Sequence, residues 1–391
     1  MLAILAVVQI PFIYRRYAFG KRFDQIAAIQ SQRRAATDPN FAEYKGNIHV
    51  HTSLGGHSTG GFDELIAAAN SNGLDFVVMT EHYSENYDTA ALTLNGVFGK
   101  TLFVGGNEID TADSDRFFML PGGKDAAGFR FEHTDNVLSK IHSGKGLAVI
   151  AYPEKFKSWG SGFDGIEVFN LKTMAKSANP VTLVLDALWS GYSYPDLMFA
   201  DHLRRPDTNL KQFDEISRTR RISMFGGTDG HSNIGLHVFG TDTGGKLLNI
   251  KIDPYETTFR IVRMHILLPK DVPLTRESLI DAIGKGNYFT GFDAFGDTTG
   301  FRFVGTAGSE IVQQGGEASY SDGLLLKISS PVAVRMVIFK NGEKWSEQAD
   351  VADYAIKPDG AGVYRVELYQ DALGETGSKM PWIVSNPIYV R

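Results

Sequence analysis

Short apolar runs, each followed by polar residues, recur along the first 231 residues of the chain. The runs are rich in β-branched and aromatic residues, which is typical of buried strands in a parallel sheet. They are NIHVH (47–51), LDFVVMTEH (74–82), TLFVGGNE (101–108), LAVIAYP (147–153), FDGIEVFN (163–170) and RISMFGGTDGH (221–231). After the first run, GFDELIAAANSNG (61–73) has helical apolar spacing and a terminal glycine. Strands that alternate with helices predict an α/β fold, either a parallel barrel or a doubly wound sheet.

The C-terminal part of the chain has a different pattern. Residues 275–286 predict a final helix with Thr275 as its N-cap. Short alternating segments follow, and Asn341-Gly342 between two of them is a strong hairpin signal. We therefore predict a small all-β sandwich over residues 296–391, after an α/β domain over residues 45–295. The chain of 391 residues is long enough for two hydrophobic cores.

The N-terminal segment, residues 1–22, combines an apolar run with basic residues. The run Leu2–Ile13 is shorter than the roughly 20 apolar residues of a spanning helix, and it contains Gln9 and Pro11. Three interpretations stay open: a membrane anchor, a segment lying at a membrane interface, or a helix packed on the domain. We expect membrane association, with the main body on the cytoplasmic side because basic residues follow the run. Residues 23–44 are expected to form a polar helical linker.

Composition narrows the classes of function. The net charge of −6 gives no support to nucleic-acid binding, so no nucleic-acid partner is expected. The chain has no cysteine, which excludes disulfides, thiolate metal ligands and a cysteine nucleophile. Any metal site must therefore use histidine, aspartate and glutamate.

Such residues stand at the C-terminal ends of the predicted strands, where barrels of parallel strands carry their active sites. His49 and His51 are two residues apart, so a regular strand would place both on one face. Asp229 and His231 repeat that spacing. Imidazole and carboxylate ligands suit Zn²⁺, Mn²⁺ or Fe²⁺. The remaining candidate metal ligands are His57, His82 and Glu108.

The order of these motifs resembles the PHP (polymerase and histidinol phosphatase) metallohydrolases. The similarity covers roughly residues 45–290. Its motifs are HVH (49–51), His57, the EH pair at 81–82, Glu108 and DGH (229–231). The opening GNIHVHTSLGGHSTG (46–60) and the ending SNPIYV (385–390) also look like those of membrane-tethered members related to carbaryl-type ester hydrolases.

The resemblance implies a distorted (β/α)7 barrel with up to three divalent metals. By its pattern, one metal is held by His49, His51, Glu108 and Asp229, and another by His57, His82 and His231. Glu108 would also bridge toward the remaining site. There the family has an AHP motif, whereas this chain has Tyr152 in IAYPEK (150–155). A neutral phenol is a poor ligand, so we expect two bound metals and not three.

Several further residues are candidates for supporting roles. Tyr152 and Lys155 are candidate substrate contacts, and Arg204 or Arg205 could supply further positive charge for a phosphate.

Two buried-strand carboxylates are expected to support the metal ligands. Glu81 should face away from His82 in a regular strand, so we expect it in a second shell. Glu167 is placed there too, although direct ligation stays an alternative. His237 is a weaker candidate for lining the site, because it follows the DGH motif.

The expected chemistry is hydrolysis by metal-bound water, without a protein nucleophile. The sequence has no GxSxG motif and no phosphate-binding P-loop. Metals lower the pKa of bound water toward 7. We therefore predict a metal-dependent hydrolase acting on a small-molecule ester, with phosphate esters implied by the family. The alternatives are a carboxylic or carbamate ester metallohydrolase, and a catalytically degenerate barrel that binds metal or ligand. An amidohydrolase-type barrel fits the paired DGH less well.

Overall fold

The structure is a computed structural model that describes residues 2–34, 38–176, 179–232, 235–238, 248–251 and 253–391. Its helices are α1 (Leu2–Gln30), α2 (Phe62–Ser71), α3 (Thr89–Leu92), α4 (Thr134–Ser143), α5 (Leu171–Lys176), α6 (Pro180–Ser190), α7 (Pro195–Ala200), α8 (Asp207–Ser217), α9 (Tyr255–Ile261), α10 (Arg276–Lys285) and α11 (Glu375–Lys379). Its strands are β1 (Phe41–Val50), β2 (Phe76–His82), β3 (Gly96–Phe98), β4 (Thr101–Asp110), β5 (Arg116–Leu120), β6 (Leu147–Ile150), β7 (Gly165–Asn170), β8 (Ser223–Gly227), β9 (Gly235–Val238), β10 (Leu248–Lys251), β11 (Arg263–Pro269), β12 (Tyr288–Gly291), β13 (Arg302–Ala307), β14 (Glu310–Gln313), β15 (Glu317–Ala318), β16 (Leu325–Lys340), β17 (Glu343–Ile356), β18 (Gly362–Tyr369), β19 (Ile383–Ser385) and β20 (Ile388–Val390).

The predicted α/β class is confirmed as a mixed sheet with helices. Strands β1, β2 and β4 pair in parallel, and so do β6, β7 and β8. Helix α2 connects β1 to β2, and α4 precedes β6. Helix α2 buries Leu65 and Ala69 in a cluster with Val50 and Met79, so its apolar face holds the ends of β1 and β2 together.

The structure does not show the expected (β/α)7 barrel, and the sheet is not closed. Strand β5 is antiparallel to β4, because residues 111–115 are too few for a helical crossover. At the other side, β11 pairs with residues 41–46 of β1. The rest of this edge of β1 is short. It contacts the segment that follows β8 through an isolated bridge between Val50 and Gly230.

The C-terminal part is rich in strands, as expected. Strands β16 and β17 form a long hairpin, and Asn341 and Gly342 at its turn have φ values of 53° and 87°, as a type I′ turn requires. The same sheet continues through both parts of the chain, because β12 pairs with β19. A separate sandwich with a boundary at residue 296 stays a prediction.

Helix α1 packs on the domain, which was one of the three interpretations of the N-terminal segment. Its Arg15 forms ion pairs with Asp186 and Asp201, and Phe19 is buried in the main core. The helix continues to Gln30, past the expected boundary at residue 22, and β1 begins at Phe41. Within the described residues, we find no helix whose length and apolar character would allow it to cross a membrane.

Candidate metal centre

Four predicted ligands meet at one buried point. His49 and His51 come from the end of β1, and Glu108 comes from β4. Asp229 follows β8. The Nε2 atoms of both histidines lie 3.1 Å from Glu108 Oε2, and they lie 3.5 and 3.9 Å from Asp229 Oδ1. Two atoms bound about 2.1 Å from one ion at tetrahedral angles would lie about 3.4 Å apart. His49, His51 and Glu108 therefore have the spacing of a coordination site, and Asp229 lies beside the two histidines.

The hydrogen bonds of this cluster also fit a metal ion. Among the described residues, both ring nitrogens of His51 and Oδ1 of Asp229 are buried without a hydrogen bond of good geometry, although His51 Nε2 lies 3.1 Å from Glu108 Oε2 and Asp229 Oδ1 lies 3.1 Å from Nδ1 of His231. Buried polar atoms are normally hydrogen-bonded, so these three atoms need another explanation. His49, His51 and Glu108 form one group whose geometry could hold a metal ion.

A second group of imidazoles lies beside the first. The ligand atoms of His51, His82 and His231 also lie within 4.8 Å of one another. The rings of His51 and His82 stack at 4.5 Å between centroids, and His51 and His231 lie at 4.4 Å. His57 is exposed at the rim, with its ring 4.9 Å from that of His82. The structure thus brings all seven predicted metal ligands to one region.

The backbone is strained at three residues of this region. His49, Tyr152 and Asp229 have φ values of 67°, 53° and 49°. Such left-handed conformations are uncommon outside glycine and concentrate at functional sites. At His49 the register between β1 and β2 shifts between Ile48 and Val50. A bulge, and not the regular alternation we predicted, therefore directs His49 into the site.

Glu167 supports a candidate ligand, as expected. Its Oε1 lies 2.6 Å from Nδ1 of His49, and its Oε2 accepts a hydrogen bond from Asn170 Nδ2 at 2.9 Å. A carboxylate on Nδ1 directs Nε2 of the same ring toward the metal position. Burial raises the pKa of Glu167.

Glu81 does not contact a candidate ligand. It accepts hydrogen bonds from the backbone and side chain of Thr52 and from the hydroxyl of Thr93. Burial raises its pKa. Glu81 therefore fixes the loop that follows His51, which agrees with a supporting role.

Electrostatics favour the metal-binding protonation state for Glu108, Asp229, His51 and His82, but not for His49. Burial opposes the charge of His49, yet Glu167 and Asp229 raise its pKa well above the usual value, so a metal would have to displace a proton there. Burial opposes the charge of Glu108, but the adjacent imidazoles of His49 and His51 hold its pKa well below the usual range. Burial likewise opposes ionisation of Asp229, but the nearby His49 and His231 lower its pKa. Burial lowers the pKa of His51, and that of His82 to about 4. Ionised carboxylates and neutral imidazoles are the metal-binding forms.

Tyr152 lies in the site but bonds to a candidate ligand. Its hydroxyl donates to Asp229 Oδ2 at 2.7 Å, and its ring lies 5.6 Å from that of His49. Burial and the charges of Glu108 and Asp229 raise its pKa, so the phenol keeps its proton. As a hydrogen-bond donor to Asp229, Tyr152 orients this carboxylate.

An open cleft of about 570 Å³ gives access to the cluster. Arg116 and Lys172 line its walls together with His57, His82 and His231. A second hollow of about 380 Å³ shares Asp110, Arg116 and Tyr152 with it and contains Lys155, so Lys155 lies beside the candidate centre, as predicted.

Sequence reasoning missed Arg116. Its Nη1 lies 2.8 Å from Glu108 Oε1, and its Nε lies 2.7 Å from Asp110 Oδ1. Arg116 begins the antiparallel strand β5, which was not predicted. The signal was present in RFFML (116–120), a short apolar run behind the turn-forming residues ADSD (112–115).

The role of Lys172 was also missed. Its Nζ lies 2.9 Å from Nδ1 of His231 and 3.7 Å from Asp229 Oδ1. Lys172 follows β7 directly, in the first turn of α5.

We expected Arg204 or Arg205 to supply positive charge for a phosphate at the site, and this expectation was wrong. Arg205 forms an ion pair with Glu367 on β18, and Arg204 donates to the carbonyl oxygens of Asp201 and Leu203. Both arginines line a cleft other than the one over the candidate centre. The side chain of His237 lies outside the described residues.

Comparisons with known proteins do not identify the chain. No family model matches it, and neither does any curated protein. Among solved structures, that of PsfC from Pseudomonas syringae is similar with a TM-score of 0.37 and 14% sequence identity. The match covers 61% of this chain and 88% of that one. Similarity at this level carries no conclusion about fold or function.

Proposed function

We propose that the chain is a metal-dependent hydrolase that cleaves small-molecule phosphate esters with an activated water molecule. The observation that carries the proposal is the convergence of His49, His51, Glu108 and Asp229 below an open cleft. Buried atoms of His51 and Asp229 without a hydrogen bond of good geometry lie within it. The order of motifs supports membership of the PHP metallohydrolases, including a distorted barrel, as part of the same proposal.

Two ions would be held by this chain. The first would bind His49, His51, Glu108 and Asp229, and the second would bind His57, His82 and His231. Bound metals lower the pKa of water toward neutrality and polarise an ester oxygen. Zinc, manganese and iron all accept these ligand types.

The chain's own residues would orient the ligands and the substrate. Glu167 holds the His49 ring, and Tyr152 holds Asp229. Arg116 and Lys172 bring positive charge to the cleft wall, where a phosphate oxygen would accept hydrogen bonds. Neither serine nor threonine is among the described residues that line the larger cleft, which agrees with water as the nucleophile.

A specific observation favours a second candidate, hydrolysis of a carboxylic or carbamate ester. Arg116 already pairs with Glu108 and Asp110, and Lys172 lies 3.7 Å from Asp229. Cations that are neutralised in this way attract a dianionic phosphate less strongly. A neutral carbonyl substrate would not need them.

Metal analysis and activity assays test the proposal. We expect bound zinc, manganese or iron in the purified protein and hydrolysis of p-nitrophenyl phosphate or bis-p-nitrophenyl phosphate. His51→Ala should lower both metal content and turnover by about 100-fold or more, because it removes a ligand. His142→Ala is the control, since His142 is an exposed residue of α4 that contacts Asp164 and none of the candidate ligands named above.

The outcomes separate the candidates. Turnover of p-nitrophenyl acetate alone would replace the phosphoesterase with the ester hydrolase. Bound metal without turnover of any of these esters would favour the degenerate barrel. A protein without metal would contradict the proposed centre, and full activity of His51→Ala would contradict the ligand assignment.

A further inference from the structure

The first half of α1 turns its polar residues inward and its apolar residues outward. Gln9 accepts a hydrogen bond from Trp189 Nε1 at 2.8 Å, and Arg15 binds Asp186 of α6. Most of the exposed side chains are apolar, among them Val7, Ile10, Ile13, Tyr14 and Tyr17, with Tyr14 68% exposed; Arg16 is exposed as well. This is the reverse of an ordinary surface helix, which buries its apolar stripe.

Helix α6, which contacts α1 through Trp189 and Asp186, also exposes apolar residues. Leu188 is 64% exposed and Tyr192 is fully exposed. Both stand close in sequence to Trp189 and Ser193, which hydrogen-bond to Gln9 and Arg16 of α1. We call the exposed apolar residues of the two helices and the following turn the α1–α6 face. A large exposed apolar patch of this kind marks an interaction site.

The charges around the α1–α6 face are positive. Residues 2–23 contain four basic residues and no acidic one. Arg15 and Arg22 pair with acidic residues of the body. Arg16, in contrast, donates to the carbonyl of Trp189 and to Ser193, which are uncharged. Lys21 lies over the Tyr17 ring at 4.9 Å.

A cleft of about 410 Å³ beside α1 is also lined by charged residues, of which Arg22, Arg205 and Lys379 form ion pairs with Asp201, Glu367 and Glu375. Among its lining residues are four basic side chains and two acidic ones. The basic ones are Arg22, Arg204, Arg205 and Lys379, and the acidic ones are Asp201 and Glu375.

We propose that the α1–α6 face binds the surface of a membrane that contains anionic lipids, with α1 lying in the plane of the interface. Tyrosines are enriched at membrane interfaces, and exposed basic residues attract anionic headgroups. Apolar side chains on one face of such a helix reach the boundary of the acyl chains. A second copy of the chain is a poorer occupant, because a two-fold interface would bring the same positive residues together.

Vesicle flotation with the full chain tests the proposal. The protein should float with vesicles of equal parts phosphatidylcholine and phosphatidylglycerol, and much less with phosphatidylcholine alone. The double variant Ile10→Asn/Leu188→Asn should bind at least about tenfold more weakly, since two apolar side chains no longer enter the interface. Lys21→Gln should weaken binding to the anionic vesicles roughly fivefold. Val97→Asn is the matched control, because Val97 is 68% exposed on β3, outside the face.

All three variants change exposed side chains, so their thermal unfolding should match that of the parent chain. The proposal is overturned if the parent chain stays unbound to both kinds of vesicle. It is also overturned if the double variant binds as well as Val97→Asn. Size-exclusion chromatography provides the remaining arm: a dimer that the double variant converts to a monomer, without any vesicle binding, would assign the face to a second copy.

Discussion

At the residue scale, two buried carboxylates near the candidate centre differ in whether they contact a candidate metal ligand. Glu167 and Glu81 are equally buried at the same end of the sheet. Only Glu167 contacts a candidate ligand, whereas Glu81 binds the hydroxyls of Thr52 and Thr93. The two residues therefore form a natural pair for comparison.

We predict that Glu167→Gln weakens metal affinity by about 10-fold to 100-fold, because His49 loses the negative charge that orients and polarises its ring. Competition with a coloured chelator measures the affinity. Glu81→Gln should leave affinity nearly unchanged. Equal losses in both variants would show that burial near the site, and not contact with His49, sets the effect.

The candidate ligands were accessible to sequence reasoning because each stands in a short motif at a strand end. Arg116 was not, because its position depends on how β5 pairs with β4. The strained conformation of His49 is also invisible in the motif, since HVH alone predicts regular alternation.

At the scale of elements, the predicted hairpin at Asn341-Gly342 joins two of the longest strands in the described part of the chain. Gly342 has a φ of 87°, and a side-chain carbon there would come within 2.8 Å of Asp214. Asp214 in turn forms an ion pair with the buried Arg365. The turn is therefore constrained both by its own backbone and by its contact with α8.

We predict that Gly342→Ala lowers the free energy of unfolding by about 1–3 kcal/mol, from left-handed strain and from displacement of Asp214. Urea denaturation gives the value. Gly323→Ala is the control, because its added carbon meets nothing within 4 Å and its φ is not in the left-handed region. A loss at Gly342 no larger than at Gly323 would contradict this explanation.

At this scale, the hydrophobic pattern predicted some elements of the sheet and missed the pairing of others. Hydrophobic runs predicted the parallel strands that carry the site, and the helix between the first two of them. They did not predict that β11 would occupy part of the edge of β1. Pairing partners far apart in sequence are chosen by packing of the whole molecule, which periodicity does not record.

At the scale of the whole molecule, buried His265 links distant parts of the chain. Its Nδ1 lies 2.8 Å from Glu43 of β1, and its Nε2 lies 2.8 Å from the hydroxyl of Thr298 and 3.7 Å from Asp293. Burial opposes its charge, but Asp293 and Glu43 raise its pKa to about 9.

We predict that stability falls with rising pH because of His265. Its folded-state pKa of about 9 lies above the ordinary value of 6.5. The protonated ring therefore stabilises the fold fully below pH 6.5, and this contribution is lost as pH rises through about 9. The change should reach about 3 kcal/mol. Urea denaturation across this range measures it.

The His265→Gln variant should be less stable than the parent chain at low pH. Its free energy of unfolding should also change much less between pH 6.5 and 9. His133→Gln is the control, since that histidine is 80% exposed and pairs only with Asp113 at the surface. Stability of the parent chain that is constant or increases between pH 6.5 and 9 would contradict the role assigned to His265.

The pairing of β12 with β19 also has a practical consequence for anyone who wants a smaller protein. A fragment that stops near residue 295 would keep every candidate metal ligand. It would also lose the strand that covers the free edge of β12. An uncovered edge invites pairing with other chains. The part of the chain that carries the candidate metal ligands and the C-terminal strands should therefore be expressed together.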